Sequence, residues 1–296
     1  MSNQNMQIPT PFVDFLRTRF GADADAWLAG IPSLLTRKLA EWNLTLESDI
    51  PLHGAMGLVF FVKQYDERLV MKISWRDQLT EQENHALKLW NGDGAVRLLA
   101  YDTVNHVSLM ERLTNVSLAD IDITDASVEA GKLIRRLDLK CEDGFQKLTH
   151  RAMEIQMQLS ERKNSAQSAF DLDLISKIIA KRIPLIGSHL CHGDLGYLNV
   201  LQAYNKEWKA IDPKPIIGDL EFCIPELMWT RLDEIEDGDI VAHLERIVEA
   251  GSLDRQAAID WTVIRSADYY FWAIDNGLTI DPKRCIRLYN ALINEV

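Results

Sequence analysis

The spacing of apolar residues divides the chain into a helical start, a strand-rich stretch and a long helical remainder. Between residues 11 and 45, large apolar side chains recur every three or four positions, which predicts helices. Residues 58–63 and 68–74 are rich in β-forming residues on either side of a polar turn, which predicts a hairpin. Helical spacing returns over residues 77–91.

Two more strands are predicted at 95–101 and 106–112, after which the pattern is mostly helical. Loops and short strands interrupt this helical part between residues 190 and 222. Strands in the first third and helices in the rest indicate an α+β fold. We expect two domains, residues 1–112 and residues 113–296.

The charge balance bears on the class of partner. The 296 residues include 44 acidic and 32 basic side chains, a formal net charge of −12. Nucleic acid is disfavoured as the main partner, because phosphate contacts need clustered lysine and arginine. A cationic small-molecule substrate is compatible with this charge, although acidity also keeps proteins soluble.

Cysteine usage and the terminal sequence predict a cytoplasmic protein. The cysteines at positions 141, 191, 223 and 285 are widely spaced, as expected for buried thiols in a reducing compartment. The first residues do not form a signal peptide, and no apolar run reaches the roughly 18 residues that span a bilayer. We therefore expect no membrane contact, and we make no prediction of oligomeric state.

The segment HGDLGYLNV, residues 192–200, concentrates polar groups between two apolar stretches. Its His192-x-Asp194-x-x-x-x-Asn199 spacing is that of a kinase catalytic loop. In such a loop the aspartate accepts the proton of the attacking hydroxyl, and the asparagine oxygen holds magnesium on the phosphates. The alternative is a turn in which both side chains bond to their own backbone.

The next stretch contains a candidate for a second metal ligand. Residues 200–212, VLQAYNKEWKAID, form two apolar-rich runs about a polar turn. A hairpin there would bring Asp212 back beside Asn199, in the role of a DFG aspartate. Pro213 and Lys214 follow, so only the carboxylate of that motif is retained, and Asp-Pro is also a common end to a strand.

Upstream residues are candidates for binding the nucleotide. In the strand LVMKIS, Val70 and Lys72 share one face by the two-residue period. Lys72 would reach the α- and β-phosphates of ATP, and Val70 would lie against the adenine. Glu83 on the following helix would pair with Lys72. Glu81 is a rival candidate for this pair. The alternative is that these residues form an ordinary solvated, charged face of the helix.

The segment VSLMERL predicts the strand that leads to the adenine pocket. Met110 would lie at the back of the pocket, with backbone groups of Glu111 and Leu113 facing the adenine edge. The turn at residues 54–57 would cover the phosphates, although its glycines fit G-x-G-x-x-G poorly. No Walker A motif is present, which removes the main competing ATP-binding design.

Together these motifs resemble those of a known family, the aminoglycoside/hydroxyurea antibiotic resistance kinases, which include streptomycin 6-phosphotransferases. The resemblance covers nearly the whole chain and includes AWLAGIPSLLTRKLAEWNL, the MKIS strand, LMERL, HGDLGYLNVL and the helices around Trp261 and Trp272. WNGDGAVRLL and AIDPKPIIGD are its most specific parts.

The resemblance implies a two-lobed, protein-kinase-like fold. Residues 1–112 would be a small β-rich N-lobe with N-terminal helices, a five-stranded sheet and the nucleotide cover. Residues 113–296 would be a larger, mostly helical C-lobe with the catalytic loop and the acceptor site.

The resemblance also implies ATP and Mg²⁺ as cofactors. By this resemblance Asp194 is the base, Asn199 and Asp212 hold the metal, and Lys72 with Glu83 orders the phosphates.

Two segments depart from the family pattern. Gly196-Tyr197-Leu198 stands where His-His-Gly or a similar run is usual, and Phe222-Cys223 stands where an aromatic residue and an aspartate are expected. Both lie near the catalytic loop. They leave the predicted catalytic, metal-binding and phosphate-binding residues in place, so they bear on the identity of the acceptor.

Acidic residues after the catalytic loop are candidates for the acceptor site. They include Asp219, Glu221, Glu226, Asp233, Glu234, Glu236, Asp237, Asp239, Asp268 and Asp275. Such carboxylates would hold a guanidinium- or amine-bearing sugar, although a run such as LDEIEDGD is usually a solvated loop. Asp268 and Asp275, on either side of Trp272 in an aromatic helix, are the better candidates for a pocket wall.

The predicted function is transfer of the γ-phosphate of ATP to a hydroxyl of a small molecule, with an aminoglycoside such as streptomycin as acceptor. One alternative is a kinase of an unrelated hydroxylated metabolite. Another is a nucleotide-binding pseudokinase with a regulatory role, against which the complete Lys, Glu, Asp, Asn, Asp set argues.

Overall fold

The computed structural model describes residues 6–54, 56–76, 78–162 and 169–296, apart from the side chains of residues 78 and 79. The chain forms two compact units. The first unit is Met1–Gly92 with Val96–Leu113, and the second is Asp93–Ala95 with Thr114–Val296. Among the described residues, no helix combines the length and the apolar character that crossing a membrane requires.

The first unit combines helices with an antiparallel sheet. The helices are α1 (Thr10–Phe20), α2 (Ala22–Glu41) and α3 (Gln78–Trp90). The strands are β1 (Thr45–Leu46), β2 (Leu52–His53), β3 (Gly57–Gln64), β4 (Glu67–Ser74), β5 (Leu98–Asp102) and β6 (Val107–Glu111). They pair in the order β1-β3-β4-β6-β5, and β2 pairs with β3.

The predicted hairpin is confirmed, because β3 and β4 pair along their whole length, from Gly57 with Ser74 to Gln64 with Glu67. The sheet has 6 strands in place of the predicted five. The strands that the sequence pattern did not locate are β1 and β2, whose 2 residues each are too few to show an alternating pattern.

One face of the hairpin forms the core of this unit with α1 and α2. In β4, Leu69, Met71 and Ile73 are buried, whereas Val70 and Lys72 on the opposite face are half-buried. Apolar residues of both helices join the buried face in one cluster. A slip of one residue in the strand register would place Lys72 in that core, so the apolar pattern holds Lys72 on the open face.

The second unit is mostly helical. Its helices are α4 (Ile123–Arg136), α5 (Leu148–Arg162), α6 (Leu172–Arg182), α7 (Ile224–Thr230), α8 (Ile240–Gly251), α9 (Arg255–Asp275) and α10 (Asp281–Leu292). Its strands are β7 (Gln146–Lys147), β8 (His189–Cys191), β9 (Val200–Gln202), β10 (Trp208–Ala210) and β11 (Ile216–Gly218).

The short strands of this unit bring two loops together. β8 pairs antiparallel with β11, and β9 pairs antiparallel with β10. The loop of residues 192–199 runs from β8 to β9, and the loop of residues 211–215 runs from β10 to β11. Because both loops connect the same two strand pairs, they lie side by side.

Helices α4 and α8 approach each other closely at Gly131. A Cβ atom at residue 131 would overlap the carbonyl oxygen of Ile247 in α8. Backbone cannot yield as a flexible side chain does, so the two helices can pack at this spacing only with glycine there.

We expect Gly131→Ala to lower the free energy of unfolding by about 1–3 kcal/mol, the usual cost of overpacking. The control is Gly30→Ala in α2, where a Cβ atom meets nothing within 4 Å. That substitution should raise stability by up to about 1 kcal/mol, since alanine favours a helix. Urea unfolding followed by circular dichroism measures both, and equal stability of the two variants would contradict the packing argument.

Candidate active site

Asp194 and Asn199 lie in the loop between β8 and β9, and hydrogen bonds hold them in a defined relation. The side-chain Nδ2 of Asn199 donates to the backbone oxygen of Asp194 at 2.8 Å. The Asn199 amide donates to the carbonyl of Gly196 at 2.9 Å. Because the side-chain nitrogen is used in the first bond, Oδ1 is the atom of this side chain that can bind a cation.

The predicted hairpin after Asn199 is confirmed, and it returns Asp212 to this loop. The amide of Ile211 donates to the carbonyl oxygen of Asn199 at 2.9 Å. Asp212 itself is exposed and has a φ of 54°, a left-handed conformation that aspartate tolerates better than most residues.

Asn199 and Asp212 together offer a carboxylate and an amide oxygen to a cation. Magnesium in nucleotide sites takes one or two protein oxygens and completes its coordination with phosphates and water. In the described part of the chain, no group of three or more His, Cys, Asp or Glu side chains forms an all-protein metal site. The donor set therefore fits a magnesium ion shared with a nucleotide.

His192 joins the two loops through a buried imidazole. Its Nε2 donates to the carbonyl of Ile211 at 2.9 Å, and its Nδ1 accepts from the amide of Asp194 at 3.4 Å. Burial lowers the pKa of His192 to about 4, so the ring is neutral at pH 7 and can bond both ways. His192, the first residue of the kinase-loop spacing, therefore supports the structure of the loop.

Lys214 is a residue of this site that the sequence analysis did not assign. Its ammonium Nζ lies 2.8 Å from Oδ2 of Asp194. Its backbone amide donates to the carbonyl of His192 at 2.8 Å. Gly193 makes this approach possible, because it has a φ of 72° and a Cβ atom there would overlap the Lys214 carbonyl oxygen.

Cys223, one of the departures from the family pattern, supports the same loop. The backbone amides of His192 and Gly193 donate to its sulfur. A hydrogen bond with the neighbouring thiol of Cys191, together with these amides, lowers the pKa of Cys223. Burial raises the pKa of Cys191. The other departure buries Tyr197 and exposes Leu198.

In the first unit, Lys72 and Glu83 form the predicted pair. Lys72 Nζ lies 2.7 Å from Glu83 Oε1, and both side chains are largely buried. Glu81, the rival, is exposed on the same helix. A second contact holds α3 against this face of the sheet, because Ser108 Oγ donates to Oδ1 of Asn84 at 2.6 Å.

The residues predicted to contact adenine lie on neighbouring strands. Val70 is the register partner of Met110, and Met110 and Leu113 are buried. The amide of Glu111 donates to the carbonyl of Arg97 at 3.0 Å, so this donor is not available to a purine. In the turn at residues 54–57, residue 55 lies outside the described residues.

Asp268 and Asp275 both line a cavity of about 590 Å³ in the second unit, together with Asp194 and Lys214. Each carboxylate is already paired with arginine. Asp268 Oδ2 lies 2.7 Å from Arg151 and 2.6 Å from Arg265. Asp275 pairs with Arg162. These arginines already compensate much of the negative charge that would attract a cation of the acceptor.

Comparison with known proteins relates this geometry to kinases of small molecules. The profile of the family described as "Aminoglycoside/hydroxyurea antibiotic resistance kinase" matches residues 41–277. The streptomycin 6-kinase of Streptomyces glaucescens is 31% identical, over 97% of each chain. The hydroxyurea phosphotransferase of Kitasatospora aureofaciens is 27% identical, over 97% of this chain and 86% of its own.

A solved structure shares the fold. LicA, the choline kinase of Streptococcus pneumoniae, was solved with AMP and superposes with a TM-score of 0.59. The match covers 89% of this chain and 98% of LicA at 12% sequence identity. The fold is therefore that of the protein-kinase-like small-molecule kinases. With a family match over most of its length, the chain belongs to the aminoglycoside/hydroxyurea antibiotic resistance kinases, which are phosphotransferases that act on hydroxyl groups.

Proposed function

We propose that the protein transfers the γ-phosphoryl group of ATP to a hydroxyl of an aminoglycoside, with streptomycin as the first acceptor to test. Similarity to a streptomycin 6-kinase over nearly the full length supports this acceptor. The observation that carries the proposal is the position of Asp194, which lines an open cavity of about 590 Å³ and bonds through its backbone to Asn199.

Asp194 is the proposed base. The acceptor hydroxyl attacks the γ-phosphorus, its proton passes to the Asp194 carboxylate, and the bond to the bridging oxygen of ADP breaks. Lys214 holds Oδ2 of that carboxylate, so we assign the proton to Oδ1. The cavity beside Asp194 is the proposed acceptor site.

Asn199 and Asp212 are the proposed ligands of Mg²⁺. When bound, this ion neutralises charge on the transferring phosphate. The bond from Asn199 Nδ2 to Asp194 aims the amide oxygen, and the Ile211–Asn199 backbone bond keeps the two ligands adjacent. His192 ties both loops together, so base and ligands keep a fixed separation.

Lys72, held by Glu83, is proposed to contact the α- and β-phosphates of ATP. Val70 and Met110 would contact the adenine. Because the transition state of phosphoryl transfer is loose, charged groups held in place before the reaction supply most of the catalytic effect.

Asp194→Asn should lower kcat about 10²–10⁴-fold, the range that general-base catalysis contributes. The KM for ATP should change little, because this carboxylate is not assigned to the nucleotide. The assay is ATP turnover with Mg²⁺ against streptomycin, other aminoglycosides and hydroxylated amines. The exposed Asp143 gives a matched control, Asp143→Asn, which should match wild type.

Each outcome of that panel bears on a different alternative. Turnover that requires an amino alcohol, with none on aminoglycosides, would establish a metabolite kinase. Tight ATP binding without turnover on any acceptor would favour the regulatory alternative or an acceptor outside the panel. Full activity of Asp194→Asn would remove this residue as the base.

Lys72→Met and Glu83→Gln should each lower kcat/KM for ATP about 10- to 100-fold, as expected for loss of a hydrogen bond between charged groups. The double variant should be little worse than Lys72→Met, since Glu83 acts by holding the lysine. Glu81→Gln on the same helix is the control. Additive losses in the double variant would show that the two residues act separately.

Lys214→Met should lower kcat about 10- to 100-fold with a small change in the KM for the acceptor, because Lys214 orients the base. Lys214→Arg keeps the charge and should recover part of the rate. Steady-state kinetics with streptomycin distinguishes the two substitutions. A Lys214→Met enzyme with wild-type kcat would show that the ion pair with Asp194 has no part in the reaction.

A further inference from the structure

The charges that line the cavity beside Asp194 are almost all paired. Its acidic side chains are Glu161, Asp194, Glu226, Asp268 and Asp275, and its basic side chains are Arg151, Arg162, Lys214 and Arg265. Lys214 pairs with Asp194, Arg162 with Asp275, and both remaining arginines with Asp268. Two carboxylates remain, those of Glu161 and Glu226.

These two carboxylates differ in burial. Glu161 is exposed at the end of α5, where water compensates its charge. Glu226 is half-buried in α7 and forms no ion pair with any residue that the structure describes. Burial and the nearby negative charge of Asp194 raise the pKa of Glu226, and the charges of Arg265 and Lys214 offset this rise only in part. A half-buried carboxylate without an ion pair favours a cationic partner.

Glu226 lies next to the catalytic loop. A Cβ atom at Gly196, two residues after Asp194, would lie 3.6 Å from Cγ of Glu226. Since residue 196 carries no side chain, nothing from that position stands between the loop and the Glu226 stem. Glu226 and Asp194 thus line the same cavity from adjacent segments.

A row of aromatic rings adjoins Glu226. Trp229 lies three residues after Glu226 on the same face of α7. Trp229 stacks on Tyr269 with centroids 4.7 Å apart, and Tyr269 stacks on Trp272 at 5.5 Å. Tyr269 and Trp272 also line the cavity. Aromatic faces beside a carboxylate favour cations over neutral groups.

We propose that Glu226 is the residue that recognises a protonated nitrogen group of the acceptor, an ammonium or a guanidinium, close to the hydroxyl that is phosphorylated. This inference rests on the proposed function and assigns its specificity. Asp268 and Asp275 shape the cavity wall through their arginines, and the acceptor cation binds at the half-buried carboxylate that forms no ion pair with a described residue.

The proposal predicts different activities toward streptomycin and hydroxyurea, the acceptors named for two related enzymes. Streptomycin carries guanidinium groups, whereas hydroxyurea is neutral. A half-buried carboxylate without an ion pair favours the first, and the second offers it no compensating charge. We therefore expect this enzyme to prefer streptomycin to hydroxyurea.

The test is the kinetics of Glu226→Gln with streptomycin and with hydroxyurea. The substitution keeps the shape and removes the charge, so kcat/KM for streptomycin should fall about 10- to 100-fold. The KM for ATP, and any turnover of hydroxyurea, should stay at the wild-type value, which also shows that the variant is folded. Glu226→Asp keeps the charge and should recover part of the loss, and Glu161→Gln is the control for charge in the same cavity.

The outcomes separate this inference from the proposed function. Wild-type turnover of streptomycin with an unchanged KM in Glu226→Gln would overturn the role of Glu226 and leave phosphotransfer standing. A preference of the wild-type enzyme for hydroxyurea over streptomycin would also overturn the role of Glu226 and leave phosphotransfer standing. If neither acceptor is turned over, the proposed acceptor is wrong, and calorimetry of streptomycin binding decides the inference. Weaker binding by Glu226→Gln would support it, and equal or absent binding would overturn it.

Discussion

The arrangement of the second unit depends on one close backbone contact, between Gly193 and Lys214. The amide of Lys214 donates to the carbonyl of His192, and the Lys214 carbonyl occupies the space that a side chain at 193 would fill. Any other residue at 193 would push the two loops apart. Their separation would in turn move Asp194 away from the ammonium of Lys214 and from the segment that carries Asp212.

Around this contact, side-chain hydrogen bonds supplement the short strands in holding the two loops together. β8 and β11 are each 3 residues long and would not hold two loops in register alone. The neutral imidazole of His192 and the sulfur of Cys223 add bonds to the same backbone. Asp219 at the end of β11 accepts from Trp261 of α9 at 2.8 Å and from Arg182 of α6 at 2.9 Å. The loops are thereby attached to the helices that surround them.

Ion pairing recurs at the candidate site residues of both units. Lys72 with Glu83, and Asp268 with its two arginines, are ion pairs largely sheltered from water, whereas Lys214 with Asp194 and Arg162 with Asp275 are more exposed ion pairs. Pairing lowers the cost of burial, and it also fixes each side chain before a substrate arrives. Within the described part of the chain, Glu226 lines the cavity without an ion pair, and exceptions of this kind are candidates for sites that bind a ligand.

The sequence alone determined the features that depend on local pattern. Alternation of apolar residues gave the β3–β4 hairpin and the face of Lys72, and the spacing from His192 to Asn199 with the hairpin after it brought Asp212 beside Asn199. Such features follow from backbone periodicity over a few residues. Even there, β1 and β2 were missed because 2 residues show no period.

Only the tertiary structure decided which charges meet beside Asp194. Lys214 reaches Asp194 across 20 residues of chain because β8 and β11 pair in one register, with Cys191 opposite Ile216. Asp268 and Asp275 were predicted to bind a cation of the acceptor, but in the structure each forms an ion pair with an arginine of α5. Glu226 differs from Asp268 and Asp275 because it lines the same cavity without an ion pair to any described residue. These electrostatic partners are set by distances through space, and no local spacing in the chain encodes the pairs of Lys214 with Asp194 or of the α5 arginines with Asp268 and Asp275.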